Sequence, residues 1–309
     1  MRISNSHAYQ ATIDNLSRRQ QSLADAQEHL STGRRVITPG DDPAAAARAE
    51  RALAVKMRAE ADQRSLQMAR GVMEQAEGAL GDAGEVLQQA RELVVSAGNG
   101  SFSDRERAGV ADALRALRNR LLALSNRDDG AGQVLFGGAG STRTPFVDAP
   151  GGVRFDGQSG EAVVIAGEAL PVALDGRNVF LSARDPATGQ DNLSAFDALQ
   201  EVADALALPG RTSQETSAAV RNALGDIDAL GDHIGRHRAR LGDGLGRADA
   251  LDLRLSQRVT VAQGERSNAE DLDMVQAISD FQNQQNGYDA ALRTYATVQR
   301  LSLFDYIGR

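Results

Sequence analysis

The chain has 309 residues, a formal net charge of -8 and no cysteine. The missing thiols exclude disulfides, thiolate metal sites and thiol nucleophiles. The acidic balance, with no basic run longer than the pairs Arg18-Arg19 and Arg34-Arg35, argues against a nucleic-acid partner, because phosphate affinity rests on clustered Lys and Arg.

Aromatic residues make up 4% of the chain and tryptophan is absent, so its helices must be held by many thin Ala- and Leu-rich contacts. No stretch approaches the roughly 18 apolar residues of a membrane span. The first residues lack the apolar segment of a cleaved secretory signal. Proline divides the sequence. None of the seven lies between 44 and 144 and none follows 209, which leaves both flanks free to be helical. Glycine crowds into the middle instead.

In chain order, the first predicted helix runs from about Ser6 to Thr32. Ile13, Leu16, Gln20, Leu23, Gln27 and Leu30 form a heptad seam with polar residues at alternate core positions. Gly33 supplies the stop. Asp42-Pro43 restarts a helix, as N-cap and first helical residue, and that helix extends to about Ala97. Large residues recur there every seventh position with alanine between them, as in Leu66, Met73, Leu80, Leu87 and Val94, while Gly71, Gly78, Gly81 and Gly84 weaken it locally.

Ser103 and Glu106 read as a capping box for a third helix, with Val110, Leu114, Leu117, Leu121 and Leu124 as its stripe. Period-two alternation then replaces the heptads from Val134 to Leu181. Strands are expected around Val153/Phe155, Val163/Ile165 and Leu170/Val172/Leu174. A short helix near Leu193–Leu208 follows. Two further capping boxes, Thr212/Glu215 and Ser267/Glu270, open the last two helices. The final one carries Met274, Ile278, Phe281, Gln285, Tyr288, Leu292 and Tyr295 as its seam.

The fold class is therefore mainly α with a small β insert: an elongated multi-helix rod with coiled-coil-like N- and C-terminal helices. The expected divisions are an N-terminal assembly helix (1–42), a helical rod (43–133), an inserted β domain (134–190), the returning rod (191–264) and a C-terminal assembly helix (265–309). A lone helix with so narrow an apolar seam is marginal in water. Both ends are thus expected to bury their seams against each other and then against partner molecules, and to be mobile in the free monomer.

Sharper chemistry does not emerge. His233 and His237 lie one turn apart, but Ile234 occupies the position where a zinc-protease helix carries its Glu, so a solvated face is the better reading. Asp41-Asp42 and Asp128-Asp129 read as a cap and a polar turn. Gly137-Gly138-Ala139-Gly140 lacks the spacing and Lys of a phosphate loop. No set of nucleophile, base and orienter is visible, and no cofactor is expected.

Four stretches stand out: Met1-Arg-Ile-Ser4 with Tyr9-Gln10, Leu30-Ser-Thr-Gly33 followed by Asp41-Asp-Pro-Ala-Ala-Ala46, Val134-Leu-Phe-Gly-Gly138 with Thr144-Pro-Phe146, and Gln284-Gln285, Tyr288, Ala290-Ala-Leu292 with Leu301-Ser-Leu-Phe-Asp-Tyr-Ile307. Together they resemble the flagellin superfamily, in which N- and C-terminal helices pair to form the inner tube of the bacterial flagellar filament. The ending on Phe304-Asp-Tyr-Ile307 is similar to the hook–filament junction branch rather than to filament flagellins, while about 150 to 190 matches nothing in the family.

The resemblance implies a non-enzymatic, extracellular flagellar subunit exported by the flagellar type III apparatus without a cleaved leader. Its implied partners are the other hook-associated junction protein, flagellin, copies of itself in a ring and a cytoplasmic export chaperone. The residues expected to carry assembly are Ile3, Ile13, Leu16, Leu23, Leu30, Met274, Ile278, Phe281, Tyr288, Leu292, Tyr295, Leu303 and Phe304. A flagellin-type filament subunit is the alternative.

Overall fold

The computed structural model describes the backbone of residues 2–138, 141–160 and 162–307, and the side chains of residues 10–138, 141–160 and 162–297. The described elements follow in the order α1 (Arg2–Thr32), α2 (Pro43–Ala97), α3 (Asp104–Ser125), β1 (Phe146–Ala149), β2 (Gly152–Phe155), β3 (Val163–Ile165), β4 (Glu168–Leu170), α4 (Gly176–Phe180), β5 (Ala183–Arg184), β6 (Asp191–Leu193), α5 (Ala195–Ala207), α6 (Ser213–Glu270) and α7 (Met274–Ile307). The fold is mainly α with a small β part. The chain forms two compact units, one from Met1–Glu60 with Ser256–Arg309, the other from Ala61–Leu255.

In the second unit the four glycines of α2 do not interrupt it. Its inward face is a run of fully buried residues, Met73, Ala76, Leu80, Ala83, Leu87, Ala90 and Val94, so packing outweighs the intrinsic cost of glycine, about 1 kcal/mol each. The Arg238 guanidinium of α6 passes Gly81, where a Cβ would make only ordinary contact at 3.7 Å, and reaches on to Glu77 at 2.6 Å. Arg91–Asp228 and Arg70–Asp249 tie the same helices at 2.7 and 3.0 Å.

Helix α3 opens on the expected capping box. The Ser103 hydroxyl accepts from the Glu106 N–H, and the Glu106 carboxylate accepts from the Ser103 N–H. Thr212 and Glu215 do the same ahead of α6.

The β part is three separate antiparallel hairpins, paired Phe146↔Phe155, Val163↔Leu170 and Ala183↔Leu193. The strands around Val153 and Val163 stand where expected. The third expected strand keeps only Leu170, since Val172 and Leu174 lie beyond the end of β4; β1, β5, β6 and α4 were not anticipated.

What holds the insert together is aromatic. Phe136, Phe146, Phe155, Phe180 and Phe196 form one cluster with ring centroids 5.2–6.0 Å apart. Helix α3 anchors this cluster twice. Buried Arg118 grips Asp148 of β1 through two hydrogen bonds of 2.7 and 2.9 Å, and the Asn126 side-chain amide both donates to and accepts from the Phe146 backbone at 2.9 Å. Gly138 has a φ of 75° and lies so close to Gln158 that a Cβ would fall 1.7 Å from its carbonyl oxygen. This glycine turn serves close backbone approach. Gly140 lies outside the described residues.

In the first unit α1 begins at Arg2, ahead of the expected Ser6, and ends at Gly33, whose φ of 67° and N–H bond to the His29 carbonyl form the stop. Asp42 caps α2 by accepting from the Ala45 N–H at 2.9 Å.

One boundary differs clearly. Ser267 and Glu270 do not open the last helix; α6 continues through them, and Asp273 caps α7 by accepting from the Val275 and Gln276 N–H groups. The Glu270 carboxylate is taken instead by Arg266 at 2.6 Å and Arg34 at 3.6 Å, and the Ser267 hydroxyl donates to Asp271. The capping pattern is present in sequence, but its partners are engaged elsewhere.

Candidate assembly surface

Two helix breaks in the first unit, residues 33–42 and 271–273, meet in a small clasp. The Leu272 N–H donates to the Gly33 carbonyl at 3.0 Å. The Arg35 and Val36 N–H groups donate to the Glu270 carbonyl at 2.7 and 3.3 Å. Arg35 adds side-chain bonds to Asp42 and to the Ala269 carbonyl. Asp41 closes the loop by accepting from the Ile37 and Thr38 N–H groups at 2.9 and 2.8 Å. The Thr38 and Ile37 N–H groups hold the carboxyl of Asp41 below the usual carboxylate range, and the Ala45 N–H, then Arg35, do the same for Asp42. Sequence reading missed the clasp; its one visible trace was charge beside both breaks, Arg34-Arg35 against Glu270-Asp271.

From the clasp α1 and α7 run together, antiparallel. Gly33 faces Leu272 at one end, and further along Arg19 lies against Gly287, where a Cβ would meet its guanidinium at 2.9 Å. The covered stripe of α1 contains Ile13, Leu16, Leu23 and Leu30, all half-buried, whereas Gln20 and Gln27 are exposed rather than in the seam. On α7 the half-buried positions are Ala277, Phe281, Gln284, Tyr288, Ala291 and Tyr295, spaced by fours and threes, with Gly287 beside Tyr288.

The predicted α7 seam therefore splits in two. Phe281, Tyr288 and Tyr295 belong to the covered stripe. Met274, Ile278 and Leu292 do not. They are 44%, 45% and 37% exposed, and Val275 beside them, which sequence reading passed over, is 80% exposed. No described residue of α1 or α7 is buried, in contrast to the fully buried face of α2. The side chains of Ile3, Leu303 and Phe304 lie outside the described residues.

The second unit contains a cleft of about 1070 Å³ whose walls include His233, Arg236, His237, Asp175, Asn178 and Asp243. The His233 Nε2–H donates to the Asn178 carbonyl at 2.6 Å and its Nδ1 accepts from Arg236 at 3.2 Å, so both ring nitrogens are occupied. His237 stacks edge-on at 4.8 Å and is 6% exposed rather than solvated, which corrects the expected surface histidine. Burial, and then the charges and dipoles of His233 and Arg240, push its pKa from 6.5 down to about 4. Among the described residues no three His, Asp or Glu side chains are grouped to hold a metal ion, and no helix is long and apolar enough to cross a membrane.

The family model for the bacterial flagellin N-terminal helical region matches residues 3–141. The flagellar hook-associated protein 3 of Escherichia coli is 30% identical over 98% of this chain and 99% of its own length. A flagellin of Bacillus subtilis is 34% identical over 45% of this chain and 46% of its own. Among solved structures, a hook-associated protein from Vibrio parahaemolyticus superposes with a TM-score of 0.66 at 19% identity, covering 75% of this chain and all of that one. Full-length similarity to the E. coli protein, with the flagellin signature over the N-terminal helices, assigns the chain to the flagellar hook-associated protein 3 family.

Proposed function

We propose that this chain is a structural, non-enzymatic subunit of the bacterial flagellum, placed at the junction between hook and filament. The observation that carries the reading is the bare stripe Met274, Val275, Ile278 and Leu292 on α7. Pairing with α1 covers one apolar stripe of that helix and leaves a second facing solvent, so neighbouring molecules would complete it. Copies of the same chain in a ring are the first neighbours, with flagellin on one side and the other hook-associated junction protein on the other. The E. coli hook-associated protein matches at 30% identity over 98% of this chain, against 23% over 87% for a flagellin of Listeria monocytogenes, which favours a junction subunit over a filament subunit.

An exposed α7 stripe is also an aggregation hazard inside the cell, which supports a cytoplasmic chaperone that shields it before export through the flagellar type III apparatus. The test is a double variant, Ile278→Asp with Leu292→Asp, in a strain lacking the native gene. Both side chains are exposed, so the monomer should lose less than about 1 kcal/mol, while filaments should fail to attach and flagellin should appear in the medium. Normal attachment would remove α7 from the assembly role.

A further inference from the structure

The turn joining α2 to α3 carries Asn99-Gly100-Ser101, and all three residues are exposed. Asn99 Oδ1 accepts two hydrogen bonds, from the Ser101 N–H at 3.2 Å and from the Ser101 hydroxyl at 3.0 Å. Two donors on one carbonyl oxygen draw electron density from Cγ and stand ready for the negative charge that grows on that oxygen under nucleophilic attack. The nucleophile is adjacent. The Gly100 N–H engages no acceptor among the described residues, and apart from its chain neighbours Asn99 and Ser101 nothing lies within 4 Å of the place where a Cβ would stand. No packed neighbour therefore crowds Gly100, and having no side chain it does not crowd its own nitrogen.

We infer that Asn99 is a site of spontaneous covalent modification, in which the Gly100 nitrogen closes on the Asn99 side chain. The Gly100 nitrogen gives its proton to water and forms a bond to Cγ. The Cγ–Nδ2 bond breaks, and Nδ2 takes a proton back from water and leaves as ammonia. The resulting succinimide opens when water adds to either of its carbonyls, giving aspartate or its β-linked isomer. The sum is one water consumed and one ammonia released, with no change of oxidation state.

The product alters the turn in two ways. It places a carboxylate at the C-terminal end of α2, where the helix dipole disfavours negative charge. In the β-linked form the main chain runs through Cβ and Cγ, and the original Asn99 carbonyl becomes a carboxylate outside it, which displaces the bond that this oxygen now accepts from the Phe102 N–H at 3.1 Å. That bond precedes the capping box of α3, so the modification loosens the start of that helix.

A second Asn-Gly pair provides an internal comparison. Asn286-Gly287 lies within α7, with Gly287 turned toward Arg19 of α1. Inside a helix the backbone nitrogen is held in the i→i−4 ladder and the reacting atoms are kept apart, so this pair reacts only when α7 opens.

The full-length protein is aged at neutral pH and 37 °C and its peptides are followed by mass spectrometry. A gain of about 1 Da, together with a β-linked isomer separable by chromatography, is expected at Asn99. Gly100→Ala, for which the turn has open space and an ordinary φ, should slow it at least about tenfold by crowding the nitrogen. Ser101→Ala should slow it about threefold through loss of the hydroxyl donor, a modest effect because water reaches the site. Asn286 should trail Asn99 in native buffer and approach it in urea. An unmodified Asn99, an unchanged rate in Gly100→Ala, or Asn286 outrunning Asn99 in native buffer would each overturn the inference.

Discussion

His237 shows how burial converts one side chain into a pH dependence of the whole unit. Its folded pKa, about 4, lies below the ordinary 6.5, so the native state binds fewer protons there than the unfolded chain. The associated stability is complete above pH 6.5 and is lost as pH falls toward 4, on the order of 3 kcal/mol in full. Burial sets the sign; His233, Arg240 and Arg236 add to it by opposing a further positive charge, and the Asn178 carbonyl only partly offsets them. Thermal melts of the protein between pH 7 and 4 should show falling stability, and His237→Gln should flatten that slope. A slope unchanged in the variant would mean that another group governs it. From sequence this histidine read as solvated, because nothing in His233-Ile-Gly-Arg-His237 reveals that Asn178, 55 residues from His233, closes over it.

At the scale of elements, helices were legible wherever their causes are local. Asp42-Pro43, Ser103/Glu106 and Thr212/Glu215 each satisfy their own backbone, so reading them needs no tertiary knowledge. Ser267/Glu270 carries the same signature and misleads, because Arg266, one turn earlier in α6, takes Glu270 at 2.6 Å, with Arg34, 236 residues away in the chain, adding a contact at 3.6 Å. The hairpins were only partly legible. Their strands are two to four residues long, too short for alternation to register, and the five-phenylalanine cluster joins residues scattered from 136 to 196.

The clasp yields its own prediction. Glu270→Ala would leave Arg34 and Arg266 without their shared acceptor and cost about 1–2 kcal/mol locally. Amide exchange at Arg35 and Leu272 should accelerate, with α3 and α5 unaffected. Unaltered exchange would show that the backbone bonds alone hold the two breaks together. The depressed carboxyls of Asp41 and Asp42 add a sign: their contribution is present above the ordinary 3.8 and disappears as acid carries the pH below it.

Across the whole molecule, stability is unevenly distributed. Alanine and leucine faces of α2 and α6 are fully buried, whereas the described lengths of α1 and α7 rely on half-covered residues. Amide exchange of the isolated protein should therefore be slowest in residues 66–94 and fastest in the two terminal helices beyond the clasp, by a factor of about a hundred or more. Equal protection at both would contradict the idea that partners complete the ends. The heptads announced that α1 and α7 seek company. They did not announce that α7 has two apolar stripes with different fates, since Phe281 and Ile278 sit only three residues apart and differ in exposure solely through where α1 lies.

The backbone ladder between residues 33–36 and 270–272 also has a mechanical meaning. Because both terminal helices emerge from one short stitched segment, tension that separates them is delivered to the same three backbone hydrogen bonds, and drawing one helix away loads its companion. A subunit built this way resists pulling or twisting as a double strand rather than as two separate tails, which is what a coupling in a rotating shaft requires.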